Sequence, residues 1–179
     1  MKTLYIERST GECRSGAWVE ELDLDGVERI IVGTGPGSFA GIRSAIAFAQ
    51  GYAAAGSCEV LGLESVCAIA AQENTGGPLV VLGDARQGKF WVALFDGLKM
   101  IGKVFQVDRE GLTKRVPRGV KIVSPDEGRI GKILKDEFGD FYKGLSLPTA
   151  NGLKLYAEAM PDSLALDPLP IYLNPAVRT

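Results

Sequence analysis

The sequence predicts an α/β protein in two lobes, each led by a β-hairpin. Three observations predict it. Short runs rich in Val, Ile and Leu alternate with longer stretches of helical spacing, the pattern of strands followed by helices. Each half also opens with a strand, an acidic residue, a turn ending in glycine and a second strand, Ile6-Glu7-Arg8-Ser9-Thr10-Gly11 and Gly83-Asp84-Ala85-Arg86-Gln87-Gly88. Between the halves, ENTGGP at 73–78 breaks the apolar pattern and marks a boundary, so the expected lobes are 1–76, which is reduced in size, and 77–179.

The elements follow in order. Residues 3–7 and 14–20 read as strands around the turn STGEC, and 27–32 (VERIIV) as a buried strand between the turn DLDG and a glycine loop. Residues 38–56 read as a helix with Ser38 as N-cap and Gly56 as its stop; Phe39, Ile42, Ile46, Ala49 and Ala53 step by three or four along one apolar face. A strand at 58–63 and a helix at 64–74 complete the first half. In the second, two strands within 78–95 flank DARQG, a third runs over 99–107, and a helix is expected at 108–115. A strand at 119–124, helices at 126–138 and 149–160, and an extended, proline-punctuated tail close the chain.

Composition narrows the chemistry. The 179 residues carry a net charge of −2, and no run of lysine and arginine forms a nucleic-acid stripe, so this chain is not expected to supply most of the phosphate contacts to any RNA. There is no histidine, which excludes Ser-His-Asp and Cys-His nucleophile systems and histidine-ligated zinc or iron. The three cysteines lack CxxC spacing and read as reduced thiols, and no metal site is expected. No apolar run approaches the ~20 residues that span a bilayer, and charge appears too early for a secretory signal, so a cytoplasmic protein is expected without membrane contact.

The segment GTGPGSFAGIRSA at 33–45 looks like a phosphate loop, but it has no GxxxxGK[ST] spacing. Gly35-x-Gly37-x-x-Ala40 fits a dinucleotide fingerprint between strand and helix, with Glu64 near the distance for ribose recognition, although Pro36 removes one donor. The structural alternative is a tight corner: Gly35, Pro36, Gly37 and Ser38 turn the chain, and Gly41 admits a close neighbour. Alanines along 45–55 extend a small-residue surface suited to core packing or to a partner. Asp84, Arg86 and Gly88 sit in a turn between strands, where Asp84 either organises a metal, as in a small actin-like ATPase or kinase, or pairs with Arg86 to hold the hairpin.

IIVGTGPGSFAGIRSAIAFAQGYA resembles the strand–loop–helix of the TsaB family, DARQGKFWVALF resembles that family's hairpin, and PIYLNPAV resembles its closing segment with Asn174 where arginine is usual. The resemblance implies the actin-like ATPase (ASKHA) fold and a non-catalytic pseudo-enzyme subunit in bacterial synthesis of threonylcarbamoyladenosine, a tRNA modification beside the anticodon. It implies a TsaD-like catalytic paralogue as heterodimer partner and a TsaE-like ATPase joining the pair, with a homodimer as the other arrangement. No catalytic residue and no cofactor are expected, residual ATP or magnesium binding being the exception to look for. The sequence departs from the family in its short first lobe, in Glu7 where aspartate is usual, and in Ala40 where threonine is usual. The expected partner interface is the helix over 38–56, through Phe39, Arg43, Ile46, Phe48 and Gln50. The alternatives from other classes are the ATPase or kinase using Asp84 and a Rossmann-type dinucleotide-binding protein.

Overall fold

The computed structural model describes residues 1–10, 19, 22–73 and 76–173. The first unit comprises Met1–Ala68 and Pro148–Ile171, and the second is built on Ile69–Leu147. The expected boundary at 76/77 divides the chain once. In the structure the break falls eight residues earlier by number, between 68 and 69, and the chain returns to the first unit at Pro148. A return of this kind leaves no compositional mark, because the helix over 149–160 is equally amphipathic whichever sheet it serves.

In the first unit β1 (Lys2–Ile6), β2 (Val27–Gly33) and β3 (Glu59–Leu63) form a parallel sheet in that order. Ile30, Ile31 and Val32 are all buried, as a parallel strand covered on both faces requires. Helix α1 (Phe39–Ala55) connects β2 to β3 and packs Ile42, Ala45, Ile46 and Ala49 against Ile6, Val27, Ile30 and Val32. Helix α2 (Ser65–Glu73) follows β3. The expected first hairpin needs a strand at 14–20, which apart from Val19 lies outside the described residues; β1 itself pairs in parallel with β2.

The second unit carries β4 (Pro78–Arg86), β5 (Lys89–Asp96), β6 (Lys99–Met100), β7 (Phe105–Val107), α3 (Arg109–Arg115), β8 (Lys121–Ser124), α4 (Glu127–Phe138) and β9 (Tyr142–Leu145). Its mixed sheet runs β6-β5-β4-β8-β9, with β7 also beside β5. The DARQG hairpin forms as expected, β4 antiparallel to β5. The single strand expected over 99–107 is two short ones, separated where Gly102 takes a φ of +77°. Val80, Leu82, Val92, Leu112, Ile122, Ile130 and Leu134 form the core between sheet and helices. Helix α5 (Ala150–Ala159) then rejoins the first unit beside β1, capped by Thr149 through Gly152 N–H at 3.0 Å.

Candidate docking face and glycine corner

Several amides of the corner after β2 are engaged within the chain. Thr34 N–H donates to Leu63 O at 2.9 Å and Ser38 N–H to Ser9 O at 2.6 Å. Gly35 N–H donates to Ser65 Oγ at 3.0 Å, and Pro36, joined to Gly35 by a cis peptide, has no N–H. Ser38 caps α1 by accepting from Gly41 N–H at 3.4 Å. A phosphate cradle needs such amides unengaged and convergent, and those of Thr34, Gly35, Ser38 and Gly41 are already engaged within the chain. Gly35 needs its φ of +99°, and a Cβ on Gly37 would stand 2.1 Å from Ser9 O, so these glycines serve a turn and a close backbone approach.

Glu7 closes the corner from β1. Its Oε1 accepts from Ser9 N–H at 2.6 Å, while Oε2 is fully buried without a hydrogen-bond partner and lies where a side chain on Gly33 would begin. Burial pushes the Glu7 carboxyl above its ordinary value of 4.5, against a smaller opposing pull from hydrogen bonds of Ser9 and Ser65. Its contribution to folding is therefore greatest below that ordinary value and is lost as pH rises through the raised folded value. Glu7→Gln is expected to raise the melting temperature at neutral pH and to flatten the stability profile on the acid side. Parallel pH series of thermal melts check this, and profiles that superimpose would contradict it.

Helix α1 has two faces of different character. Its outward residues are Phe39, Ala40, Arg43, Ser44, Ala47, Gln50, Gly51 and Ala54, so a row of small side chains lies open between larger ones. Phe39 is 47% exposed, and the Arg43 guanidinium sits 4.1 Å from its ring centroid. Of the expected interface residues, Phe39, Arg43 and Gln50 face outward. Phe48 is half-buried and stacks on Tyr52 with centroids 6.3 Å apart. Ile46 is corrected: it is 6% exposed and belongs to the core, because it falls four residues after Ile42 on the face turned to the sheet. Gly41 is buried as well.

In the second unit Asp84 is engaged structurally. Its Oδ1 accepts from Arg86 N–H at 2.8 Å, its Oδ2 lies 3.4 Å from both the Arg86 and Arg129 guanidinium nitrogens, and its own N–H donates to Asp126 Oδ2 at 2.9 Å. Arg129 also holds Asp126 at 2.6 Å. Arg86 (φ +66°) and Gln87 (φ +54°) take left-handed backbone ahead of Gly88 (φ +74°), and the carboxylate fixes this unusual turn. Among the described residues no group of three or more His, Cys, Asp and Glu side chains could hold a metal ion. Asp84→Ala is expected to cost about 1–2 kcal/mol of stability by releasing these bonds, read as a lowered urea midpoint; an unchanged midpoint would refute the structural role. Sequence reasoning missed Ser9, Ser65, Asp126 and Arg129, which reach their partners only through the fold and carry no motif.

The fold defines a class: an α/β protein of the actin-like type, with a glycine corner that turns β2 into α1. A family model described as "TsaD: tRNA N6-adenosine threonylcarbamoyltransferase" matches residues 18–126. This is more than half of the chain, and the chain belongs to that family. Solved structures with the same fold include YeaZ from Pseudomonas aeruginosa, at TM-score 0.63 and 23% identity over 86% of this chain and 79% of that one. A protein described as similar to "peptidase YEAZ from Pseudomonas aeruginosa" aligns at TM-score 0.67 and 20% identity over 97% and 100% of the two chains. An uncharacterized protein of Mycobacterium tuberculosis is 32% identical over 98 residues, 55% of this chain and 46% of its own length, and one of Mycobacterium leprae is 33% identical over 98 residues, 27% of its length. The chain thus spans about half the length, or less, of the curated relatives it matches. Among the described residues no helix is long and apolar enough to cross a membrane.

Proposed function

We propose that this chain is a TsaB-type subunit serving formation of threonylcarbamoyladenosine in tRNA, without catalysis of its own, by docking through the outward face of α1 onto a TsaD-like paralogue. The observation that carries the reading is the row Ala40, Ser44, Ala47, Gly51 and Ala54, left open on a helix whose opposite face is core. Small side chains let a partner helix approach closely, and Phe39, Arg43 and Gln50 flank the row as anchors. Family membership and the YeaZ-like fold support the same reading. A TsaE-like ATPase would join the pair, tRNA would be met through the partner, and the work would take place in the cytoplasm with no cofactor bound to this chain. A homodimer through the same face is the competing arrangement.

The test is co-purification of the chain with its cognate TsaD-like protein, each shown to be folded by circular dichroism. A stable complex that retains both is expected. Two folded proteins that separate would refute the reading.

A further inference from the structure

A groove of about 500 Å³ lies in the second unit between α4 and β9, lined by Glu127, Lys132, Lys135, Asp136, Tyr142 and Lys143, with glycines 131 and 144 at its floor. The volume is within the usual range of small-ligand sites, about 300–1,000 Å³. Three ammonium groups line it. Lys132 pairs with Asp136 at 2.9 Å and Lys135 with Asp140 at 3.3 Å, both largely exposed pairs that hold weakly, and Lys143 has no carboxylate within ion-pair distance among the described residues. The Tyr142 hydroxyl is buried without a hydrogen-bond partner, in a residue only 7% exposed. It stands 3.4 Å from where a Cβ on Gly131 would sit, so the absence of a side chain there leaves the hydroxyl at the groove floor. The Glu127 side chain lies over the same place, its Cγ 2.9 Å from the Gly131 Cβ position and its Oε1 3.1 Å from that of Gly144. Glu127 is the exposed first residue of α4, so its carboxylate is able to swing into solvent.

We propose that this groove binds a phosphate group, held by Lys143 and Lys135 and accepting a hydrogen bond from the Tyr142 hydroxyl once Glu127 has swung aside. Lys135, Lys143 and Tyr142 line the same groove, and of the two carboxylates in that lining, Glu127 and Asp136, Glu127 lies beside the Tyr142 hydroxyl. The phosphate is either that of a small phosphorylated molecule or that of an RNA backbone, since both present the same tetrahedral oxygens. Burial and the Glu127 carboxylate both push the Tyr142 hydroxyl above its ordinary pKa, so it keeps its proton to donate.

The experiment titrates the full chain separately with inorganic phosphate and with a single-stranded RNA oligonucleotide, and maps the bound residues by amide chemical shifts. Saturable binding of at least one probe, with shifts centred on α4 and β9, is expected. Lys143→Gln should weaken it about tenfold, as loss of a charged hydrogen bond does, and Glu127→Gln should tighten it. Tyr142→Phe should weaken binding while raising the melting temperature of the free protein by about 2–4 °C, because it removes a buried unpartnered hydroxyl. A purely structural hydroxyl would not produce that opposition. Binding of phosphate identifies a small-molecule site, and binding of RNA alone, steeply reduced by salt, identifies a backbone contact. Failure of both probes, shifts elsewhere, or affinities unmoved by Lys143→Gln and Glu127→Gln would overturn the proposal. These substitutions lie on exposed side chains, so folding does not obscure the result.

Discussion

Replacing Gly37 by alanine is expected to cost about 3 kcal/mol and to lower the melting temperature by roughly 6–12 °C. The added Cβ would lie 2.1 Å from Ser9 O and 2.8 Å from Ser9 Cβ, far inside any real contact. Ser9 O has no freedom to retreat, since it accepts from Ser38 N–H at 2.6 Å and so links the end of β1 to the cap of α1. Relief would therefore shift the first turn of α1 together with the strand. Gly51→Ala is the contrasting substitution: nothing lies within 4 Å of its Cβ position, and the helix interior should gain about 1 kcal/mol. Thermal melts of the two variants check both statements, and a Gly37→Ala protein as stable as the parent would contradict the account of the corner.

Ala47→Arg is expected to leave the fold intact and to weaken the complex with a TsaD-like partner by about 30-fold or more, the size of a central interface residue. Ala47 is exposed at the middle of α1, and Arg is nearly as good a helix former as Ala, so stability should barely move. A guanidinium projecting from the row of small side chains would hold two helices apart. Ile46→Ala should behave oppositely: Ile46 is a core residue, so the substitution should destabilise this chain by about 2–4 kcal/mol. Its effect on docking should come only through folding. Calorimetric titration of each variant against the partner, with melts alongside, separates the two effects. If Ala47→Arg binds like the parent, the small-residue row is not the interface.

Much of the fold is legible in the sequence for local reasons. Ser38 and Gly56 bound α1, continuous Val and Ile mark β2, and Asp84 with Gly88 marks the hairpin; each is set by neighbours in the chain. What escapes reading depends on distant partners. Strand β9 is four residues of mixed polarity, with Gly144 at a φ of +95°, and exists as a strand because it pairs with β8. Ile46 shares the helical spacing of the whole apolar stripe, so spacing alone does not separate a residue that meets its own sheet from one that meets another protein. Ser9, Ser65 and Arg129 are ordinary polar residues in sequence and become organising groups only when the fold brings them to the corner and to Asp84.

The proposed docking through the outward face of α1 is tested most directly by light scattering on the chain mixed with its cognate TsaD-like protein. The account predicts a species with the summed mass of one copy of each, formed by the parent and lost with Ala47→Arg. Folded proteins that scatter only at their separate masses would contradict it.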